Sequence, residues 1–293
     1  MGGALARSMS YSWLGEERFR VLSYGFAVRW GWEEAGAYVR FALARFVARA
    51  SQGSERSAPE LPIYRFTSDG ATYRLLLQRE MIVESRDPRD ALNHFSWHVN
   101  SEAMQTAVDH LVIHAGAVVT PTGSGVLLPG PSGSGKTGLV AGLVRQGFGY
   151  LSDEAGAIDP LSRQVHPYPK ALSIKPGMFG RFTDDVDRSR AWPISAQMWL
   201  IDAETLRSDA IAASTGVDRV IFPTHRAGAV THVTPLSAAE TVIALHENTA
   251  NRSIFGPRAL PLLGDLAKRA ASYRLETSDP DEALRVVGEL TAG

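Results

Sequence analysis

Eight consecutive residues, Gly130-Pro131-Ser132-Gly133-Ser134-Gly135-Lys136-Thr137, fill the pattern G-x-x-x-x-G-K-[ST]. The chemistry of such a stretch is anion binding. Glycines let backbone amides turn inward on a phosphate, and a helix starting there adds partial positive charge. Gly130, Ser132, Gly133, Ser134 and Gly135 would cradle a nucleoside triphosphate such as ATP, Lys136 would reach its β- and γ-phosphates, and the Thr137 hydroxyl would hold Mg. Phosphoryl transfer asks for more: an acid for the metal and a group for the nucleophile's proton. Asp153 and Glu154 are the candidates for both roles. Neighbouring residues on an extended segment face opposite ways, so one of the two points at the phosphates unless the strand ends there. His114 interrupts an apolar run, where a histidine is more often a satisfied core residue; beside an acid pair it could relay a proton. Lys170, Lys175, Arg181 and Arg226 lie in later loops. Each alone is at home in solvent, yet transfer profits from one or two cations on the developing charge.

The elements that must position these residues can be read from periodicity. Val126 to Leu128 is an apolar strand that feeds the loop, and Leu139, Val140, Leu143 and Val144 recur at helical spacing after it. Leu111 to Val119 reads as a buried strand, turned back by Pro121 to Gly125. Tyr150-Leu151-Ser152 is a short strand ending in the acid pair, and Ala155 to Ile158 continues beyond it. In an open α/β sheet, strand ends of this kind line the ligand crevice. Residues 160 to 195 are rich in Pro, Gly and charge and read as loop-dominated, with 177 to 190 as a candidate mobile lid. Further strands are expected at 198–201, 219–222, 229–233 and 273–275. Helices are expected at 237–246, capped by Ser237, at 258–271 and at 281–290.

Upstream, Phe26, Val28 and Trp30 alternate as a strand, and Ala35, Val39, Ala42 and Phe46 mark a helix. Residues 51–60 read as a linker. Tyr64 to Leu77 makes a hairpin around Ser68-Asp69-Gly70. A helix starts near Asp87-Pro88 with Leu92, Phe95 and Val99 as its stripe, and Ser101 caps a further helix to about Ala107. Trp97 reads as core, and His98 and His110 as structural or surface residues.

Of 293 residues, 44% are hydrophobic and 21% charged, an ordinary globular balance. A net charge of -1 gives no global pull toward nucleic acid or an anionic membrane. Cysteine is absent, which removes disulfides, thiolate metal sites and thiol catalysis. No apolar run reaches the roughly 18 residues of a membrane helix. Cytoplasmic localisation is expected.

Three motifs in order, His114-Ala115-Gly116-Ala117-Val118-Val119, then Gly130 to Thr137, then Gly149-Tyr150-Leu151-Ser152-Asp153-Glu154, resemble the catalytic domain of the HPr kinase/phosphorylase family. The likeness is greater to HPr-kinase-related proteins, including those found with lasso-peptide biosynthesis. Seventeen positions separate Lys136 from Asp153, as in that family. The resemblance implies an α/β fold: a mixed sheet with a P-loop, akin to phosphoenolpyruvate carboxykinase, spanning 101–293. Residues 1–100 do not resemble the family's usual N-terminal domain and are expected to form a smaller α+β accessory region, a candidate for substrate recognition. It further implies Mg- and ATP-dependent phosphorylation of a hydroxyl, serine foremost, with base and metal contact from the acid pair and the histidine nearby. The segment from Pro167 to Lys175 is similar to one in the related kinases. The chain departs from the family in three places. Glu154 stands for an Asp, which leaves the base open between Asp153 and Glu154; Ala115 intervenes between histidine and glycine; and a later Arg-Pro-Gly-Arg signature has no counterpart.

The expected activity is therefore a kinase acting on a peptide, small protein or small molecule. A nucleotide-gated sensor or ATPase without a phosphorylated acceptor is the alternative. The acceptor, the nucleotide preference, phosphorylase activity and whether the chain forms a homo-oligomer stay open.

Overall fold

The computed structural model describes residues 12–48, 61–175, 178–182, 187–195 and 198–292. The expected linker 51–60 and part of the expected lid, 177 and 183–186, lie outside them. The chain divides into two compact units, one of residues 1–20 with 25–98 and one of 21–24 with 99–293.

The first unit is built on a five-stranded sheet in the order β1-β2-β3-β4-β5. Its strands are β1 (Gly15–Val21), β2 (Tyr24–Trp30), β3 (Ile63–Ser68), β4 (Tyr73–Leu77) and β5 (Glu80–Ser85), with helix α1 (Glu33–Ala42) after β2. The Asp69 carboxylate accepts from the amides of Ala71 and Thr72, which closes the β3–β4 hairpin where Ser68-Asp69-Gly70 predicts it. Helix α2 (Pro88–Gln105) is continuous through Ser101, so the expected second helix is its last turn. Phe26, Tyr64, Phe66 and Phe95 pack edge to face in this unit's core. Trp97 is 66% exposed, contrary to its expected core position, because it lies off the Leu92–Phe95 stripe. His98 is structural: its Nδ1 meets the Tyr64 hydroxyl at 2.8 Å.

The second unit is a mixed α/β layer structure. Its strands are β6 (Leu111–Val119), β7 (Gly125–Pro129), β8 (Gly149–Ser152), β9 (Ala155–Ile158), β10 (Gln164–His166), β11 (Leu172–Ile174), β12 (Ala191–Ser195), β13 (Met198–Ile201), β14 (Thr215–His225), β15 (His232–Pro235) and β16 (Ala271–Thr277). The eight-stranded sheet runs β10-β9-β6-β7-β14-β16-β15, with β8 also on β6 and β10 also on β14. β14 pairs in parallel with β7 and β16, and the remaining pairs are antiparallel. β11-β13-β12 form a separate small sheet. The stretch 160–195, expected to be loop-dominated, carries three short strands: β10 pairs with β9 and with the distant β14, and β11 and β12 both pair with β13.

Strand alternation assigns the layers. Val118, Val126, Leu128 and Ile221 face one core, where they meet Val140 and Val144 of helix α3 (Lys136–Arg145), together with Leu172 and Ile201 of the small sheet. Ala115, Ala117, Leu127, Val220 and Phe222 face the other. The first core is closed by Leu284 and Val287 of α9 (Pro280–Thr291), the second by Leu245 of α6 (Ala238–Glu247) and by Leu262, Leu263 and Leu266 of α8 (Ala259–Arg269). The short helices α4 (Phe179–Phe182), α5 (Ala203–Leu206) and α7 (Arg252–Phe255) complete the α-helices among the described residues. Each such aliphatic side chain contributes about 1.5–3 kcal/mol on burial. Helix starts follow the caps in the sequence. Ser237 and Glu240 form a reciprocal capping box on α6, and the Asp279 carboxylate accepts from the amides of Asp281 and Glu282 at the head of α9. β15 lies at 232–235, a little beyond the 229–233 expected from the apolar run.

Candidate active site

β7 delivers the chain to the Gly130–Gly135 turn, and α3 leaves it at Lys136. Two glycines take backbone angles that other residues rarely adopt, Gly133 with φ 88° and Gly135, immediately before the helix, with φ 95°. The Gly130 amide donates to the carbonyl of His114 at 3.2 Å, which ties the turn to β6. Lys136 is buried, and its Nζ donates to the carbonyls of Gly130 at 2.6 Å and Pro131 at 2.8 Å. Burial holds its amine below the ordinary lysine value, against the opposing pull of Glu154 and Asp153.

The acid pair sits where one edge of β6 passes from β8 to β9, since Ala117 pairs with Ser152 and His114 with Ala155. The Ser152 hydroxyl accepts from the amides of Glu154 at 3.0 Å and Ala155 at 2.8 Å. This side-chain turn interrupts the extended chain, so strict alternation does not hold and both carboxylates reach Lys170. Asp153 is enclosed. Its Oδ1 lies 2.9 Å from Lys170 Nζ and accepts from the Tyr150 hydroxyl at 3.3 Å; its Oδ2 accepts from Thr137 Oγ1 at 3.1 Å and from the Ser173 amide at 3.4 Å.

Glu154 is the open member: its side chain is 33% exposed against 0% for Asp153. Its Oε1 lies 3.3 Å from His114 Nε2, and its Oε2 lies 3.8 Å from Lys170 Nζ. Burial works against its charge, but the hydrogen bond to His114 and the charges of Lys170 and Lys136 prevail and hold it down at about 2. Lys170 shows the converse balance. Burial would lower it, yet Asp153 and Glu154 hold it above the ordinary lysine value. Burial, followed by the Asp153 charge, pushes the Tyr150 hydroxyl well up.

These groups border a cavity of about 380 Å³ whose lining includes Ser132 to Leu139, His114, Asp153, Glu154, Ser173 and Lys175. Met178, Pro223, His225 and Thr277 complete much of its wall. The expected site residues His114, Lys136, Thr137, Asp153, Glu154 and Lys175 thus converge. Lys170 is drawn in as a buried ion-pair partner, because the turn after β10 returns the chain along β8, with the Tyr168 amide on the carbonyl of Leu151 at 2.9 Å. Arg226 is a surface residue paired with Glu276 at 3.2 Å and is not among the cavity's lining residues. Arg181 pairs with Asp281.

Tyr150, Ser152 and Ser173 are contributors that the motifs do not single out. A tyrosine three positions before an acid was the one available signal; the Ser173 contact depends on pairing across the small sheet. The arrangement can hold an anion at the head of α3 and a hard cation between hydroxyl and carboxylate oxygens, with an imidazole–carboxylate pair beside them. A scan against protein-family models finds no match for this chain, and a search of curated proteins likewise finds none.

Proposed function

We propose that this chain is an ATP- and magnesium-dependent kinase that phosphorylates a hydroxyl, serine foremost, of a peptide, small protein or small molecule. In this reading the second unit is a P-loop core akin to HPr kinase and phosphoenolpyruvate carboxykinase. The carrying observation is the convergence on one cavity of the Lys136–Thr137 helix start, the Thr137–Asp153 contact at 3.1 Å and the Glu154–His114 pair at 3.3 Å.

The residues fit the groups this reading requires. Thr137 Oγ1 and Asp153 Oδ2 are the oxygen donors that magnesium prefers. Ser134 Oγ is buried in the turn without a hydrogen-bond partner among the described residues, a polar atom suited to a phosphate oxygen. Magnesium, when bound, would neutralise charge on the β- and γ-phosphate oxygens. Lys136 would exchange its two carbonyl contacts for the same phosphates. Asp153, enclosed and fixed by four donors, serves the cation. Glu154 stays anionic at neutral pH, so it supports His114 as a charged partner, and the pair together receives the proton of the acceptor hydroxyl. The hydroxyl oxygen bonds to the terminal phosphorus, the bond to the bridging oxygen breaks, and the nucleoside diphosphate leaves.

The test is transfer of label from γ-labelled ATP with magnesium to a panel of serine peptides and small hydroxyl compounds. Wild type should label an acceptor, and Lys136→Ala should lose about 10²–10³ of that rate, the scale of one electrostatic stabiliser. Equal transfer by Lys136→Ala would remove the assigned site. ATP consumed with no labelled acceptor would assign the chain to ATP hydrolysis instead.

A further inference from the structure

A second cluster lies at another end of the same sheet. We propose that His110, Asp159 and His166 form a binding site for one divalent transition-metal cation of the zinc class. One nitrogen from each imidazole and one carboxylate oxygen lie within 4.8 Å of one another. Register explains why. His110 directly precedes Leu111, which pairs with Ile158; Asp159 directly follows Ile158; and His166 pairs with Ala157 on the other side of β9. Three adjacent strands therefore present the three side chains together.

The backbone of His110 is anchored, but its ring is not. Its carbonyl accepts from Asn251 Nδ2 at 2.8 Å, and Asn251 Oδ1 accepts from the next amide but one, that of Val112, at 3.0 Å. Both ring nitrogens are buried and have no hydrogen-bond partner among the described residues. Leaving such atoms unpaired is costly, and a metal–nitrogen bond would remove that cost. The two rings meet edge to face at 4.9 Å between centroids, close for two groups that would repel if both were protonated.

Asp159 is divided in its duties. Its Oδ1 accepts from the amides of Leu161 at 2.6 Å and Ser162 at 3.0 Å, while Oδ2 faces His166 Nε2 at 3.7 Å. Two imidazoles and a carboxylate suit zinc, cobalt or nickel better than magnesium or calcium, which favour all-oxygen sets. A tetrahedral zinc with bonds of about 2.0–2.1 Å sets its ligands about 3.3 Å apart, so modest side-chain rotation would close the set and leave a fourth position for water. The site would brace the chain where it leaves β10 toward Lys170, four residues beyond His166.

Full-length protein stripped with chelator should bind one equivalent of Zn²⁺ by calorimetry, and Co²⁺ in its place should give the visible absorption of a tetrahedral nitrogen–oxygen site. His166→Gln and Asp159→Asn, each confirmed as folded by circular dichroism, should weaken Zn²⁺ binding at least tenfold, while Glu154→Gln should bind as wild type does. Either ligand variant can carry the test if the other fails to fold. The proposal falls if wild type takes up no Zn²⁺, if the ligand variants bind it unchanged, or if Glu154→Gln alone abolishes binding, which would move the ion to the His114–Glu154 pair.

Discussion

Lys170 is the side chain on which the acid pair most depends, and its role is the easiest to measure. It is a buried ammonium whose charge is sustained by Asp153 and Glu154. Removing one member of such a pair strands the other charge, at a cost of about 3–5 kcal/mol. Lys170→Met should lower stability by that amount in urea unfolding, and adding Asp153→Asn should recover most of the loss. A single-variant cost below about 1 kcal/mol would mean that water reaches Asp153. Glu154 makes a prediction in acid. Its folded value, about 2, lies below the ordinary 4.5, so its contribution to stability is complete above 4.5 and is lost as pH falls through 2. The stability difference between wild type and Glu154→Gln should therefore shrink steadily from pH 4.5 downward; a constant difference would show that the charge is not what His114 and Lys170 support. Thr137 and Asp153 were legible as partners because a motif fixes one and a strand end the other. Lys170 was not, since a lysine directly after the Pro167-Tyr168-Pro169 stretch reads as solvent-facing until the chain is seen to return along β8.

Secondary-structure elements hold the loop by close approach as much as by hydrogen bonds. Gly116 lies on β6 beneath α3, where an added Cβ would come within 2.7 Å of Val140 Cγ2. Val140 is β-branched and fully buried, so it has little freedom to yield. Gly116→Ala should cost about 1–3 kcal/mol as overpacking and, by displacing α3, should weaken nucleotide binding under the proposed function. Chemical denaturation checks the first outcome and a fluorescent nucleotide titration the second; a variant as stable as wild type would show that α3 shifts freely. β6, β7 and α3 were readable because continuous apolar runs and helical spacing are local signals. β10, β11 and β12 were not. Each is short; β10 and β11 take partners far away in sequence, as Gln164 does in Gly216 and Leu172 in Ile201, and β12, interrupted at Pro193, pairs with the neighbouring β13. The acid pair shows the same limit in small: alternation predicts opposite directions for Asp153 and Glu154, and a single serine side chain overrides it.

At the scale of the whole molecule, the chain's two compact units have unequal shares of the chemistry. The proposed nucleotide site and the proposed zinc-class site both lie in the second unit, while the first carries an aromatic core of its own. No helix among the described residues is long and apolar enough to cross a membrane. A ligand stabilises the cooperative unit that binds it, by about 2.7 kcal/mol at a free concentration one hundred times its Kd. Mg-ATP should therefore slow amide exchange across β6, β7, β8 and α3 in hydrogen-exchange mass spectrometry and leave β1 to β5 unchanged. Lys136→Ala should abolish the protection. A candidate acceptor that engages the first unit should produce the complementary pattern, with new protection in β1 to β5 that persists in Lys136→Ala. Equal protection of both units by Mg-ATP alone would show that they unfold as one cooperative block. Substrate recognition would then have to be sought around the cavity itself, because a unit that responds to nucleotide as strongly as the site does is not an independent reader of the acceptor.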